Sequence, residues 1–219
     1  PPMRKRLTDY RHAVWDWNGT LLDDTWLCCE SLNEMLRDAG RPLVDHVRYR
    51  QIFEFPVINV YRKVGFDADA ASFHTISHRF MAAYEARKAE CQLHPKSREL
   101  LAGLSRAGLT HSVLSAYELS LLLATLRDYE LAHHFIKTCG GSDIHAGSKE
   151  ERARVHLHDL GIDPEHVVYV GDTAHDAEAA HAMGVDCVLV AHGHQHRDRL
   201  EGLGVRVVDD FADLLAELG

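Results

Sequence analysis

Apolar residues recur along this chain in two rhythms. Up to residue 94, after one short apolar run at 13–15, they fall at helical spacing. Cys28, Leu32, Met35 and Ala39 share a face at i, i+4, i+7 and i+11, and Gly40 and Pro42 end that stretch. Residues 44–64 predict one or two short helices interrupted at Phe53-Glu54-Phe55-Pro56. Phe73, Ile76, Phe80, Met81 and Tyr84 predict a further helix running to about residue 91. From Pro95 onward, apolar runs at 111–114, 135–138, 167–170, 187–190 and 205–208 alternate with helical stretches at 96–106, 119–126, 149–160, 174–182 and 211–218. Such alternation implies a parallel sheet with helices on both faces, and continuous Val/Leu runs suit strands buried on both sides. The expected class is therefore α/β. A Rossmann-like doubly wound parallel sheet core spans 1–22 and 95–219, and an α-helical cap is inserted at 23–94. The stripe Leu119, Leu122, Leu123 and Leu126 is expected in the core.

The chemistry gathers where the apolar runs stop. The first ends at Asp16, followed by Asn18-Gly19-Thr20; the second ends at Ser115-Ala116-Tyr117; the run at 167–170 ends at Gly171-Asp172-Thr173-Ala174-His175-Asp176. In a parallel sheet these ends share one edge, where ligands of open α/β folds bind. A carboxylate there needs a cation or hydrogen bonds to offset its burial. Carboxylates at 16, 172 and 176 suit a hard cation such as Mg²⁺, while Ser115 and helix N-terminal amides suit a phosphate. Ser148 and Glu151 fit a capping box that sets Lys149 in a first helical turn, where a cation opposes the helix dipole. A residue that breaks a local rule inside a well-formed cap is a candidate functional group.

Composition narrows the partners. The 219 residues carry a formal charge of −9, which disfavours nucleic acid and anionic membranes. No apolar run reaches transmembrane length, and the basic start lacks a signal-peptide core. Five cysteines without paired spacing point to a reducing compartment, hence a cytoplasmic protein; a monomer and a homodimer are both left open by the sequence.

The ordered set Asp16-x-x-Gly19-Thr20-Leu21, strand-Ser115, Lys149 and Gly171-Asp172-Thr173-x-x-Asp176 resembles the haloacid dehalogenase superfamily, most closely its phosphoglycolate phosphatase-like members. The resemblance implies hydrolysis of a small phosphorylated metabolite through an aspartyl-phosphate on Asp16. It implies Mg²⁺ held by Asp16, the Asn18 carbonyl, Asp172 and Asp176, and a phosphoryl group held by Ser115, Ala116, Gly19 and Lys149.

One position departs from the pattern. Family phosphatases usually carry a second Asp two residues after the nucleophile, where this chain has Asn18, a carboxamide that neither gives nor takes a proton near neutral pH. Three readings follow: a slower phosphatase or one with a good leaving group, a phosphonatase-like C–P hydrolase using a cap lysine, or phosphate binding without turnover. The phosphatase is preferred. Lys63 is expected at the surface and Lys88 in solvent. Asn18-Gly19 is also a deamidation-prone pair that would regenerate an acid. His192-Gly193-His194-Gln195-His196 is expected to be a solvent-facing loop, with His175 near the site but not a ligand. Phe53-Glu54-Phe55-Pro56 and Arg62 are read as cap packing rather than a substrate wall, and Gly147 and Ser148 as turn and cap residues.

Overall fold

A computed structural model describes residues 5–67, 69–141 and 149–218. Its main sheet has six parallel strands: β1 (His12–Trp15), β4 (Thr110–Glu118), β5 (Phe135–Gly141), β6 (Val167–Gly171), β7 (Asp186–Val190) and β8 (Arg206–Val208), in the order β5-β4-β1-β6-β7-β8. The chain builds outward from β1 on one side through β4 and β5, then returns to lay β6, β7 and β8 on the other. The order thus reverses at β1, and the crevice at that switch point lies beyond Trp15, at Asp16.

Alternate residues of the strands feed two apolar layers. Val14, Leu114, Tyr169 and Leu189 pack with Ala153 of α7 (Lys149–Leu160) and with Ala179, Ala180 and Met183 of α8 (Ala174–Met183). Trp15, Val113, Val170 and Val188 pack on the opposite side with Leu100 and Leu104 of α5 (Ser97–Arg106) and with Phe211 and Leu214 of α10 (Phe211–Leu215). Trp15 meets Phe211 edge-on at 5.9 Å. Between β1 and α5 the chain runs through α1 (Thr25–Asp38), α2 (His46–Ile52), α3 (Ile58–Lys63) and α4 (Ala70–Arg87). It leaves and re-enters through a two-stranded antiparallel ribbon of β2 (Leu22–Asp23) and β3 (Gln92–Leu93).

Two expectations need correction. In α6 (Leu119–Asp128), Leu122 and Leu126 are buried but Leu119 and Leu123 are 37% and 39% exposed, so the buried arc is narrower than the apolar stripe. The strand expected to stop at residue 114 continues to Glu118. Leu114 pairs with Cys139 and Glu118 with Gly141, so Ser115-Ala116-Tyr117 bulges opposite Gly140. A Cβ on Gly140 would lie 2.5 Å from the Leu119 backbone, and one on Gly141 2.5 Å from the Ala116 carbonyl. The glycine pair makes room for the bulge.

Several of the 17 histidines are core residues. His12 spans Thr110 Oγ1 and Ser112 Oγ, both at 2.7 Å, and Ser112 also meets His156 Nε2 at 2.8 Å. Trp15 Nε1 donates to His111 Nδ1 (3.1 Å), which puts the His111 proton on Nε2, facing Ser105 Oγ. Burial holds His12, His94, His111, His156 and His175 down to about 4 and His192 to about 3. These groups are neutral when folded but protonate near 6.5 once unfolded, so the unfolded chain binds more protons in that interval. Their contribution to stability is full above pH 6.5 and is lost as the pH falls toward 4. Chemical denaturation between pH 7.5 and 4 is expected to show a steep fall in midpoint across that window; a flat profile would contradict the neutral core histidines.

Candidate active site

Asp16 extends the ladder of β1, its N–H donating to the Val170 carbonyl at 2.9 Å. Its carboxylate is buried and faces the ammonium of Lys149, with Nζ 3.0 Å from Oδ1. Lys149, the first residue of α7, also reaches Asp176 Oδ1 at 2.6 Å. The rest of the expected cap, Gly147 and Ser148, lies outside the described residues. Burial pulls the Lys149 ammonium down, but Asp16 and Asp176 more than reverse this and hold it well above its usual value. The residue that opposes the helix dipole is thus fixed by two buried carboxylates.

Asp172 and Asp176 follow β6. Asp176 Oδ2 accepts from the N–H groups of Asp172 and Thr173 and from the Thr173 hydroxyl, which closes the capping box of α8. Asp172 accepts from Thr20 Oγ1 at 2.8 Å and from the His194 N–H at 2.6 Å. Asp16, Asp172 and Asp176 each present an oxygen within 4.8 Å of the others. Of these three buried carboxylates, Lys149 pairs with two, Asp16 and Asp176. Burial first, then Asp176 and Asp172, hold the Asp16 carboxyl above its usual range against the pull of Lys149. Burial likewise pushes Asp172 up to about 6. Surplus negative charge on hard oxygen donors is what a divalent cation such as Mg²⁺ relieves, so the donor set fits that ion.

Ser115 is buried at the mouth of the bulge, where its Oγ accepts from the Tyr117 N–H at 3.1 Å and its hydroxyl proton is available to a ligand. Arg152 holds the Ser115 carbonyl at 2.8 Å. Asp16, Asn18, Ser115, Ala116 and Lys149 all line one cleft of about 260 Å³. Gly19 does not: its N–H is committed to Leu22 O (3.0 Å) and Asp24 Oδ1 (2.8 Å). At φ +75° a Cβ there would lie 2.4 Å from both Asp172 Oδ2 and the His194 ring. Gly19 is required for close approach rather than for phosphate donation.

Asn18 is held from behind. Its Nδ2 donates to Asp24 Oδ2 (2.7 Å) and to the Tyr84 hydroxyl (3.0 Å), and Tyr84 itself donates to Asp24 Oδ2 at 2.7 Å. Asp24 precedes α1 but does not cap it; its side chain is turned entirely into this cluster, with His194 Nε2 3.3 Å from Oδ1. Burial raises the Asp24 carboxyl, but His194, then Asn18 and Tyr84, more than offset this and keep it ionised. The same contacts oppose deamidation, because the Gly19 nitrogen that would attack the Asn18 amide is already engaged. Peptide mass spectrometry of folded, aged protein is expected to find Asn18 intact, and substantial conversion would contradict this pinned geometry.

The histidine loop is the main residue group that sequence reasoning misplaced. It is buried rather than solvent-facing: His194 and Gln195 are 4% and 2% exposed. Arg50 of α2 donates to the Gly193 carbonyl at 2.7 Å and also bonds Ala191 O, Gln195 Nε2 donates to Phe53 O at 3.0 Å, and Tyr49 OH meets His194 Nδ1 at 3.1 Å. Phe53 stacks on the His194 ring, and Phe55 packs at a tilt on His175. Phe53 and Phe55 both line the cleft, so the segment expected to be mere packing forms a wall, whereas Arg62 is exposed. Lys63 pairs with Glu54 at the surface; Lys88, expected in solvent, is half-buried between Glu85 and Tyr117. The five cysteines are free.

A buried carboxylate at the switch point, a lysine fixed by two carboxylates, a serine hydroxyl and a cluster of three acidic side chains thus meet at one cleft. Residues 13–190 match the haloacid dehalogenase-like hydrolase family. The chain belongs to that family. It is a phosphatase-type hydrolase of it. The chain is 25% identical over 217 residues to phosphoglycolate phosphatase 1 of Pseudomonas aeruginosa, covering 94% of this chain and 78% of that one. It is 29% identical over 204 residues to the tyrosine-protein kinase PtkA of Mycobacterium tuberculosis, covering 92% and 69%. Among solved structures, the PtkA structure superposes with a TM-score of 0.80 at 27% identity, over 96% of this chain and 99% of that one. A haloacid dehalogenase-like family protein of Streptococcus pneumoniae superposes with 0.83 at 20% identity, over 97% and 100%. The Rossmann-like sheet is that of these proteins. Among the described residues no helix is long and apolar enough to cross a membrane.

Proposed function

We propose that this chain hydrolyses a small phosphorylated metabolite with Mg²⁺ as cofactor, through a phosphoryl group carried transiently on Asp16. The supporting observation is the buried Asp16–Lys149–Asp176 chain at the end of the central strand, opening onto a cleft beside Ser115. Asp16, the Asn18 carbonyl and Asp172, with Asp176 beside them, would hold Mg²⁺, which when bound supplies neutralising charge at the transferring phosphoryl group. An Asp16 carboxylate oxygen attacks phosphorus, and the ester P–O bond breaks with its electron pair passing to the leaving oxygen. The Ser115 hydroxyl and Lys149 ammonium hold the phosphoryl oxygens, where their charge and hydrogen bonds count most in the transition state. Water then attacks phosphorus, the P–O bond to Asp16 breaks, and the carboxylate is restored. Residues 23–94 act as a cap over the core of 1–22 and 95–219, excluding bulk water from the cleft. Free cysteines fit a cytoplasmic setting.

No lysine in the cleft favours the phosphonatase alternative, since Lys149 is the only lysine among the described residues lining it. The test is incubation of the full chain with acetyl phosphate and Mg²⁺, followed by acid quenching, borohydride reduction and mass spectrometry. Release of phosphate together with reduction at Asp16 is expected. Phosphate binding with neither outcome would overturn the proposal.

A further inference from the structure

The wall of the cleft and the missing acid point to the same kind of substrate, and both bear on a part of it that the phosphoryl-binding residues do not touch. Away from the polar floor formed by Asp16, Asn18, Asp24, Ser115, Lys149, Thr173 and His194, the cleft wall includes Phe53, Phe55, Val57, Met81, Tyr84 and Tyr117, and the exposed lining is mostly apolar. Among the described residues lining it the cations are Lys149, already committed to Asp16 and Asp176, and His194, whose ring nitrogens face Asp24 and the Tyr49 hydroxyl. Outside the lining, Lys88 is neutralised by Glu85 at 2.6 Å and directed to the Tyr117 hydroxyl, and Arg152 is turned to the Ser115 backbone carbonyl at 2.8 Å. A substrate with a carboxylate next to its phosphate would bury that second charge without a partner, at considerable cost. An apolar cavity of ~150 Å³ accommodates benzene, so a cleft of about 260 Å³ accommodates a phosphate and one ring. The aromatic wall supplies the edge and face contacts that a planar ring prefers.

The second observation concerns the leaving oxygen. Asn18 is pinned by Asp24 and Tyr84 and offers no transferable proton. An aliphatic alkoxide leaving without a proton is a very strong base, comparable to hydroxide. A phenolate, with a pKa of about 10 as for tyrosine, departs far more readily. Loss of general-acid help costs about 10²–10⁴-fold where a proton is needed and little where it is not.

We propose that the substrate of this site is a small aryl phosphate, a phosphate monoester of a neutral phenol whose ring lies between Phe53, Phe55 and Tyr117. The inference rests on the phosphatase reading above and specifies its substrate class. Asp16 forms the new P–O bond, the P–O(aryl) bond breaks, and the phenolate keeps the electron pair and takes its proton from solvent. Water then releases phosphate as before.

The test uses the full chain with Mg²⁺ and five substrates: acetyl phosphate, phenyl phosphate, cyclohexyl phosphate, ethyl phosphate and 2-phosphoglycolate. Acetyl phosphate carries a good leaving group and no ring, so it reports whether phosphoryl transfer works at all. Phenyl phosphate is expected to exceed ethyl phosphate and 2-phosphoglycolate in kcat/KM by at least about 100-fold. Cyclohexyl phosphate, similar in size but aliphatic, is expected to inhibit competitively near the KM of phenyl phosphate while turning over at least about 100-fold more slowly. Phe55 is more than a third exposed, so Phe55→Ala leaves no cavity in the core. It is expected to raise KM for phenyl phosphate about 3- to 10-fold more than KM for acetyl phosphate. If acetyl phosphate is hydrolysed but phenyl phosphate is no better than the alkyl esters, or Phe55→Ala affects both substrates equally, the aryl assignment is wrong and the phosphatase reading stands. If acetyl phosphate is not hydrolysed, the phosphatase reading and this inference fall together.

Discussion

Asp16→Asn is expected to lower kcat at least about 10⁴-fold while making the protein more, not less, stable. The first half follows from the role proposed for Asp16, whose carboxylate at the end of β1 would attack phosphorus. The second follows from the charge balance around it. Asp16, Asp172 and Asp176 crowd one buried site with a single lysine, and burial holds the Asp16 carboxyl above its usual range. A group whose pKa is raised on folding favours the folded state least when it is ionised. That disadvantage grows as pH rises from the unfolded carboxylate value toward the folded one. An amide of the same shape removes the charge, and Lys149 keeps Asp176 at 2.6 Å. In Mg²⁺-free buffer at pH 8 the gain is expected to be about 1 kcal/mol, or about 2–4 °C in Tm. Added Mg²⁺ is expected to raise the Tm of the unsubstituted chain much more than that of the variant, because ligand binding to the folded state is what stabilises it. Differential scanning calorimetry with and without Mg²⁺ checks both halves. A variant that keeps its activity, or one that is destabilised and still responds fully to Mg²⁺, would remove Asp16 from the roles of nucleophile and cation ligand.

What the sequence made legible was whatever is local. Asp16, Asp172 and Asp176 stand at ends of apolar runs, and a parallel sheet brings such ends to one edge whatever the loops do. Lys149 was visible because it contradicts the dipole of its own helix. Asp24 was not, although it is as buried as any of them. In sequence it is the second of two acidic residues before a helix, where capping is the ordinary reading. Its partners, Tyr84 and His194, lie 60 and 170 residues further along. The 192–196 loop failed for the same reason. Five polar or small residues after a strand read as solvent-facing, and the groups that cover them, among them Arg50, Tyr49 and Phe53 and the His94 ring stacked on His192, lie far away in sequence. The Ser115–Tyr117 bulge depends on Gly140 and Gly141 in the neighbouring strand, so periodicity within β4 alone gives no warning of it.

Asn18→Asp, the substitution that nominally restores the family's acid, is expected to destabilise the protein by about 2–4 kcal/mol and not to restore turnover by itself. Asn18 Nδ2 donates to Asp24 Oδ2 at 2.7 Å, so a carboxylate at 18 sets oxygen against oxygen in a buried site. Two carboxylates at such a distance cannot both ionise, and the pair must hold a proton between them. That proton is shared with Asp24 rather than aimed at a leaving group, and the stability of this variant is expected to improve as pH falls, as it does for any group whose pKa is raised on folding. Exchanging the partners resolves the conflict. In Asn18→Asp/Asp24→Asn an amide at 24 donates to a carboxylate at 18, while its carbonyl oxygen still accepts from the Gly19 N–H that now bonds Asp24 Oδ1 at 2.8 Å. The double variant is expected to recover about 1–3 kcal/mol relative to the sum of the single changes. Freed from the shared proton, its carboxyl can serve as acid, and turnover of alkyl phosphates is expected to rise about 10²–10⁴-fold over the unsubstituted chain. Acetyl phosphate needs no such proton and is expected to change little. A double-mutant cycle of denaturation midpoints, run beside alkyl and acyl phosphate kinetics, separates the two effects. Additive stabilities would deny the Asn18–Asp24 contact its role, and an alkyl ester rate that stays low in a well-folded double variant would mean that the missing proton is not what limits this site.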